Sequence, residues 1–194
     1  QGQNWGVAAF SPQGLQRHGF RAYIEMLQAN LAHAGGIRID HVMGLQRLWV
    51  IPQGGEAQHG AYLRYPLDDL LRLLALESHR HRALVIGEDL GTVPDGLREK
   101  LAARNILGTR VLLFEQQDGR FIPPAQWSRN ALATTTTHDL PTIKGWFAGH
   151  DIEWRVRAGH ADEQSLEQDH AERAGERVAL LQALEQRGPL GGTD

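Results

Sequence analysis

Cysteine is absent from the 194-residue chain, which excludes a disulfide framework and any thiolate metal site. A reducing compartment is compatible with that composition. No apolar run approaches the roughly 18 residues of a membrane-spanning helix. The N-terminal Gln1-Gly2-Gln3 lacks the basic-then-apolar pattern of a secretory signal, so a cytoplasmic location is the expectation. Lys and Arg total 20 against 23 Asp and Glu, for a net charge of -3, and no basic stripe suggests a nucleic-acid partner. No Gly-x-Ser-x-Gly elbow is present, and Gly87 to Gly91 holds too few glycines for a phosphate-cradling loop. The 10 histidines invite a metal reading. Yet His79 and His81 stand two apart, and residues so spaced do not share a helix face; no metal site is expected. An initiator Met is also lacking, and the expectation is a piece of a longer chain.

What is present is ordinary globular material, 41% hydrophobic and 22% charged, enough to bury a core. Residues 1 to 18 read as loop, punctuated by Gly2, Gly6, Pro12 and Gly14. Phe20, Ile24, Leu27 and Leu31 form one apolar stripe and predict a helix over 20–33, ended by Gly35-Gly36. A strand is expected at 37–40. Residues 41 to 65 are longer than an ordinary connection and read as a functional loop with some structure of its own. Pro66 and the shared face of Leu67, Leu70, Leu71 and Leu74 predict a helix over 66–82. Further strands are expected at 84–87, 111–114 and 131–136, a helix over 94–104, and helices with solvated faces through 141–187. Alternating strands and helices make this an α/β chain with a parallel sheet. Four strands cannot close an eight-stranded barrel, but they can be half of one or part of an open sheet.

Three acids stand out by position. Asp40 ends the first strand, Glu88 ends the second, and Asp139 follows the Thr-rich fourth strand, each about fifty residues from the next. In a parallel sheet the C-terminal strand ends share one face, where α/β barrels build their sites. Three carboxylates gathered there suit retaining glycoside cleavage: one attacks the anomeric carbon, one protonates the leaving oxygen, and a third stabilises the charge developing on the ring. Taken singly, each acid can equally be a cap or a surface residue, and Asp139 can simply start a helix at Leu140-Pro141.

Three motifs carry a resemblance: Gly35-Gly36-Ile37-Arg38-Ile39-Asp40-His41, Gly87-Glu88-Asp89-Leu90-Gly91 and Thr137-His138-Asp139. In order and spacing they resemble the amylomaltases of glycoside hydrolase family 77, in the α-amylase clan. The segments Val42 to Trp49 and Gly60-Ala61-Tyr62 leading to Tyr65-Pro66 resemble its bacterial branch. The similarity runs over about residues 2 to 147. It implies a partial (β/α)8 barrel, roughly the second half, without the first strands or the last, and leaves residues 148–194 as a helical segment of uncertain role. It implies that Asp40 is the nucleophile, Glu88 the general acid/base and Asp139 the transition-state stabiliser. Arg38 is two residues before Asp40, so both point to one face of a strand, where a guanidinium orients the carboxylate; a structural ion pair is the alternative. His138 resembles a histidine that hydrogen-bonds the sugar beside the cut. His41 is either a sugar contact or a packed, capping residue. Gly2-Gln3-Asn4-Trp5-Gly6 resembles a segment lining the site, with Trp5 stacking on a sugar and Gln3 hydrogen-bonding it. Trp49 is read as core or wall.

The chain departs from the family where Pro-Pro often follows Trp-Gly; Ala8-Ala9 stand there instead. The resemblance implies an enzyme that transfers α-1,4-glucan segments, from maltooligosaccharides and α-1,4-glucans, to glucose or another glucan by a retaining double displacement without a cofactor. A retaining α-amylase-like hydrolase and a non-catalytic glucan-binding fragment remain the alternatives.

Overall fold

The computed structural model of the chain describes residues 4–185. These divide into two compact units, residues 4–109 with 130–132, and residues 110–129 with 133–185.

The first unit is organised by leucines. Helix α1 spans Pro12–Arg17, inside a stretch expected to be loop. Its start is set by the Ser11 side chain, which accepts a hydrogen bond from Gly14 N at 3.1 Å, with Pro12 at the first helical position. Helix α2 spans Arg21–Leu31 and buries Tyr23, Leu27 and Leu31; of the predicted stripe Leu27 and Leu31 are buried, whereas Phe20 and Ile24 are only partly covered and Tyr23 takes the remaining place. It ends at Ala32, earlier than Gly35-Gly36, and Gly36 opens strand β1, Gly36–Ile39. Two strands, β2 (Arg47–Val50) and β3 (Ala61–Arg64), pair antiparallel with Trp49 opposite Tyr62. The segment expected to be a long loop is thus a hairpin, closed by an edge-on contact of those two rings at 5.0 Å. Helix α3 spans Leu67–His81 and buries Leu67, Leu70, Leu71 and Leu74, as the spacing predicts. Its last turn carries His79, Arg80 and His81, where positive charge suits the helix dipole.

Strand β4, Leu84–Gly87, lies parallel to β1 in a register that sets Ile39 beside Gly87. On its other edge Leu107 N donates to Val85 O and Gly87 N to Leu107 O. β4 is therefore hydrogen-bonded along both sides and its end is central. Glycine is required at 87: a Cβ there would stand 2.9 Å from Cγ2 of Val42, a fully buried side chain. Helix α4 is shorter than expected, Leu97–Ala102, with Leu97 and Leu101 buried.

Strand β5 is Gly108–Val111, three residues before its expected place at 111–114. Residues 112–114 turn instead, with Phe114 N and Glu115 N both donating to Val111 O. In the second unit, β6 (Gln116–Gln117) and β7 (Arg120–Phe121) form a short hairpin. Its turn is Asp118-Gly119, both at positive φ, as a tight hairpin demands. Strand β8 is Ala131–Thr134, ending two residues before the expected limit. Three helices follow: α5 Ile143–Ala148, α6 His150–Arg157 and α7 Leu166–Glu185. A small core of Phe121, Trp146, Leu180 and Ala183 joins β7, α5 and α7. Arg173 is buried against it, donating to Trp146 O at 2.7 Å and to both carboxylate oxygens of Asp151 at 2.8 Å.

Candidate active site

Two of the expected acids stand at neighbouring strand ends, because two strands end together. Asp40 and Glu88 each follow the last residue of a parallel pair, Ile39 and Gly87, which are register partners. Glu88 N donates to Ile39 O and Val42 N to Glu88 O, both at 2.9 Å, so the chain leaving β1 is laced to the chain leaving β4. The strand-end placement expected of these acids is what the structure has, one residue beyond each strand.

The two carboxylates have opposite surroundings. Glu88 is 9% exposed. Its Oε2 accepts from His41 N and its Oε1 from Leu90 N, each at 2.8 Å. Each carboxylate oxygen has two lone-pair sites, so one per oxygen is left for a proton. Asp40 is open, its side chain 74% exposed, with Arg38 Nη1 at 2.7 Å from Oδ1. Arg38 and Asp40 do share a face, and the guanidinium limits the directions the carboxylate can take. An exposed, oriented carboxylate beside a buried, cradled one is a division suited to a nucleophile and a proton carrier.

His41 has φ 45 and ψ 59, a left-handed conformation uncommon for a residue with a Cβ. That conformation turns its N–H onto Glu88. The imidazole is exposed, so the contact found for His41 is made by its main chain. Trp5 is 76% exposed, in the segment before α1 that forms no helix or strand. Gln3 lies outside the described residues. Trp49 is half-buried in the hairpin, its indole N–H donating to Ala57 O at 3.0 Å; this fits a wall rather than a free face. Two cavities of the first unit, one lined by Gln46, Arg64 and Asp68 and the other by Phe10, Leu15 and Glu25, lie away from Asp40 and Glu88.

Asp139 and His138 belong to the second unit. They lie in the turn between β8 and α5, both exposed, with His138 Nε2 at 3.3 Å from Asp139 Oδ2. Asp139 N donates to Thr137 Oγ1 at 3.3 Å. The cap of the following helix is Thr142, whose hydroxyl accepts from Gly145 N at 3.1 Å, so Asp139 does not serve as one.

The residue that sequence reasoning missed is Asp89. It is 1% exposed, accepting from Arg98 Nε at Oδ2 and from Thr109 N at Oδ1, both at 2.7 Å. An acid adjoining a strand-end acid, with an arginine nine residues on, was the available signal. Among the described residues no group of three or more metal-ligating side chains converges. No helix among them is long and apolar enough to cross a membrane.

The chain matches the sequence family described as 4-alpha-glucanotransferase over residues 1–192. It is 44% identical over 183 residues to a 4-alpha-glucanotransferase of Haemophilus influenzae, covering 94% of this chain and 26% of that one. A 4-alpha-glucanotransferase of Mycobacterium tuberculosis is 40% identical over 193 residues, covering 93% and 27%. The crystal structure of amylomaltase from Corynebacterium glutamicum superposes with a TM-score of 0.85 at 36% identity, covering 94% of this chain and 26% of that one. The chain thus spans about a quarter of the length of the relatives it matches.

Proposed function

The chain belongs to the 4-alpha-glucanotransferase family, and we propose that it is the part of such an enzyme that carries the nucleophile and the acid/base. It supplies part of a (β/α)8 barrel, roughly the second half, and acts on α-1,4-glucans and maltooligosaccharides. The observation that carries this reading is the pairing of an exposed, arginine-held Asp40 with a buried Glu88 cradled by two main-chain N–H groups, at the ends of adjacent parallel strands.

The chemistry proceeds in two displacements. Asp40 attacks the anomeric carbon of the donor sugar while the carboxyl of Glu88 gives its proton to the departing glycosidic oxygen. The C–O bond to the leaving oligosaccharide breaks and a bond from Asp40 to the anomeric carbon forms. Glu88, now a carboxylate, takes the proton of an incoming 4-hydroxyl, whose oxygen attacks the same carbon and releases Asp40. Two inversions leave the α configuration. The burial of Glu88 matters because a proton carrier must be fixed at hydrogen-bond reach of the oxygen it serves. Asp139 is assigned the stabilisation of ring charge, His138 and Trp5 contacts to the sugar, and Gln3 a hydrogen bond to it. These four assignments rest on the family resemblance.

The test is a 4-alpha-glucanotransferase of family length carrying this segment, incubated with maltotriose. Asp40→Asn is expected to abolish glucose release while glucan binding persists. Turnover at the parental rate in that variant would refute the nucleophile assignment.

A further inference from the structure

Glu88 is cradled by the N–H of Leu90, and that N–H belongs to the peptide group joining Asp89 to Leu90. The carbonyl of the same group, Asp89 O, accepts from Arg98 Nη2 at 3.0 Å. A peptide group is planar and rigid, so its N–H and its C=O point in opposite directions as one body. Arg98 therefore grips one end of a plate whose other end holds Oε1 of Glu88 at 2.8 Å. Its Nε holds the Asp89 carboxylate at 2.7 Å as well, and the other oxygen of that carboxylate accepts from Thr109 N. The plate is thus fixed about two axes.

We propose that Arg98 is a positioning residue for the acid/base, acting on Glu88 through the Asp89–Leu90 peptide group and the buried Asp89 carboxylate. This rests on the reading of Glu88 as the proton carrier. The guanidinium is suited to the task because its planar fork serves a carboxylate and a carbonyl together; a lysine can hold only a point. The side chain of Arg98 is half-exposed and its hydrogen bonds go to the carboxylate and carbonyl of Asp89, so its effect on Glu88 is transmitted rather than direct. Gly108 belongs to the same device. A Cβ there would lie 3.1 Å from Oδ1 and 3.3 Å from Oδ2 of Asp89, so the carboxylate would have to shift by a few tenths of an ångström against its donors.

The experiment uses the family-length enzyme carrying this segment, with Arg98→Met, Arg98→Lys and Gly108→Ala. Two donors are compared: maltotriose, whose leaving oxygen needs a proton, and α-maltosyl fluoride, whose fluoride leaves without one. Misplacing the acid by about an ångström costs on the order of 100-fold. Arg98→Met is expected to lower kcat on maltotriose by about 10- to 100-fold with KM within about twofold. First-turnover fluoride release should stay within about threefold of the parent. Arg98→Lys and Gly108→Ala should show the same split, more weakly. Parallel loss on both donors, or no loss on maltotriose in any of the three, overturns the proposal. Glu88→Gln separates the two readings. If it leaves maltotriose transfer intact, the acid/base assignment fails; if it abolishes transfer while Arg98→Met does not, the positioning role alone fails.

Discussion

Replacing each carboxylate by its amide should affect stability very differently, although both changes are isosteric. Glu88 accepts one main-chain N–H at each oxygen, at 2.8 Å, and is 9% exposed. Glutamine has a single acceptor oxygen, so one of the two N–H groups must face an amide NH2. That loses one hydrogen bond to a charged group and leaves a poorly hydrated donor unpaired. Each contribution is about 1–3 kcal/mol, and partial relaxation brings the sum to about 2–4 kcal/mol. Asp40 accepts from Arg38 at 2.7 Å, but the two side chains are 43% and 74% exposed. Such a pair contributes about 0–1 kcal/mol. Urea unfolding of the chain, followed by circular dichroism, should therefore lower the midpoint clearly for Glu88→Gln and barely for Asp40→Asn. Equal midpoints would refute the cradle around Glu88.

Three further outcomes follow from the packing. Hydrogen bonds from Arg173, against the opposing effect of partial burial, hold the Asp151 carboxyl below its ordinary 3.8. A lowered folded value means stability that is present above 3.8 and lost as pH falls through the folded value. Arg173→Met should flatten the acid limb of a pH–stability curve below about pH 4, and an unchanged limb would count against the pair. Burial raises the Tyr23 phenol well above its ordinary 10.0, and its hydroxyl is buried without a partner. Its contribution is full below about pH 10 and declines as pH rises toward the folded value. Tyr23→Phe should add about 1 kcal/mol at neutral pH and remove that alkaline decline; a destabilised variant would contradict this. Gly87→Ala should cost about 1–3 kcal/mol by overpacking Val42, read as a lowered melting temperature.

The parts of the fold legible in the sequence were those where one residue pattern decided. The leucine face of α3 and the stripe of α2 are set by helical spacing, and β1 and β4 are short apolar runs ended by acids. Strand β5 was misplaced because Val111 to Phe114 is the more apolar run, whereas the strand opens at Gly108, whose N–H donates to Asn130 O. The hairpin of β2 and β3 was hidden by glycines and aromatics, whose pairing depends on partners about fifteen residues away. Asp118-Gly119 did carry a local turn signal. At the site, strand-end placement exposed Asp40 and Glu88, but nothing local could reveal that His41 would serve through its N–H. That role depends on a left-handed backbone imposed by the lacing of two strand ends. For Asp89 the arginine nine residues on was the one local signal, and it does not by itself give burial, since a charged residue reads as exposed until its donors are known.

The most direct measurement of the central claim is product analysis after incubating maltotriose with a family-length enzyme that carries this segment, alongside its Asp40→Asn and Glu88→Gln variants. Glucose together with a ladder of longer maltooligosaccharides, lost in both variants, is the predicted result. Glucose and maltose without longer products would contradict transfer and indicate hydrolysis; a ladder that survives in both variants would contradict the assignment of Asp40 and Glu88.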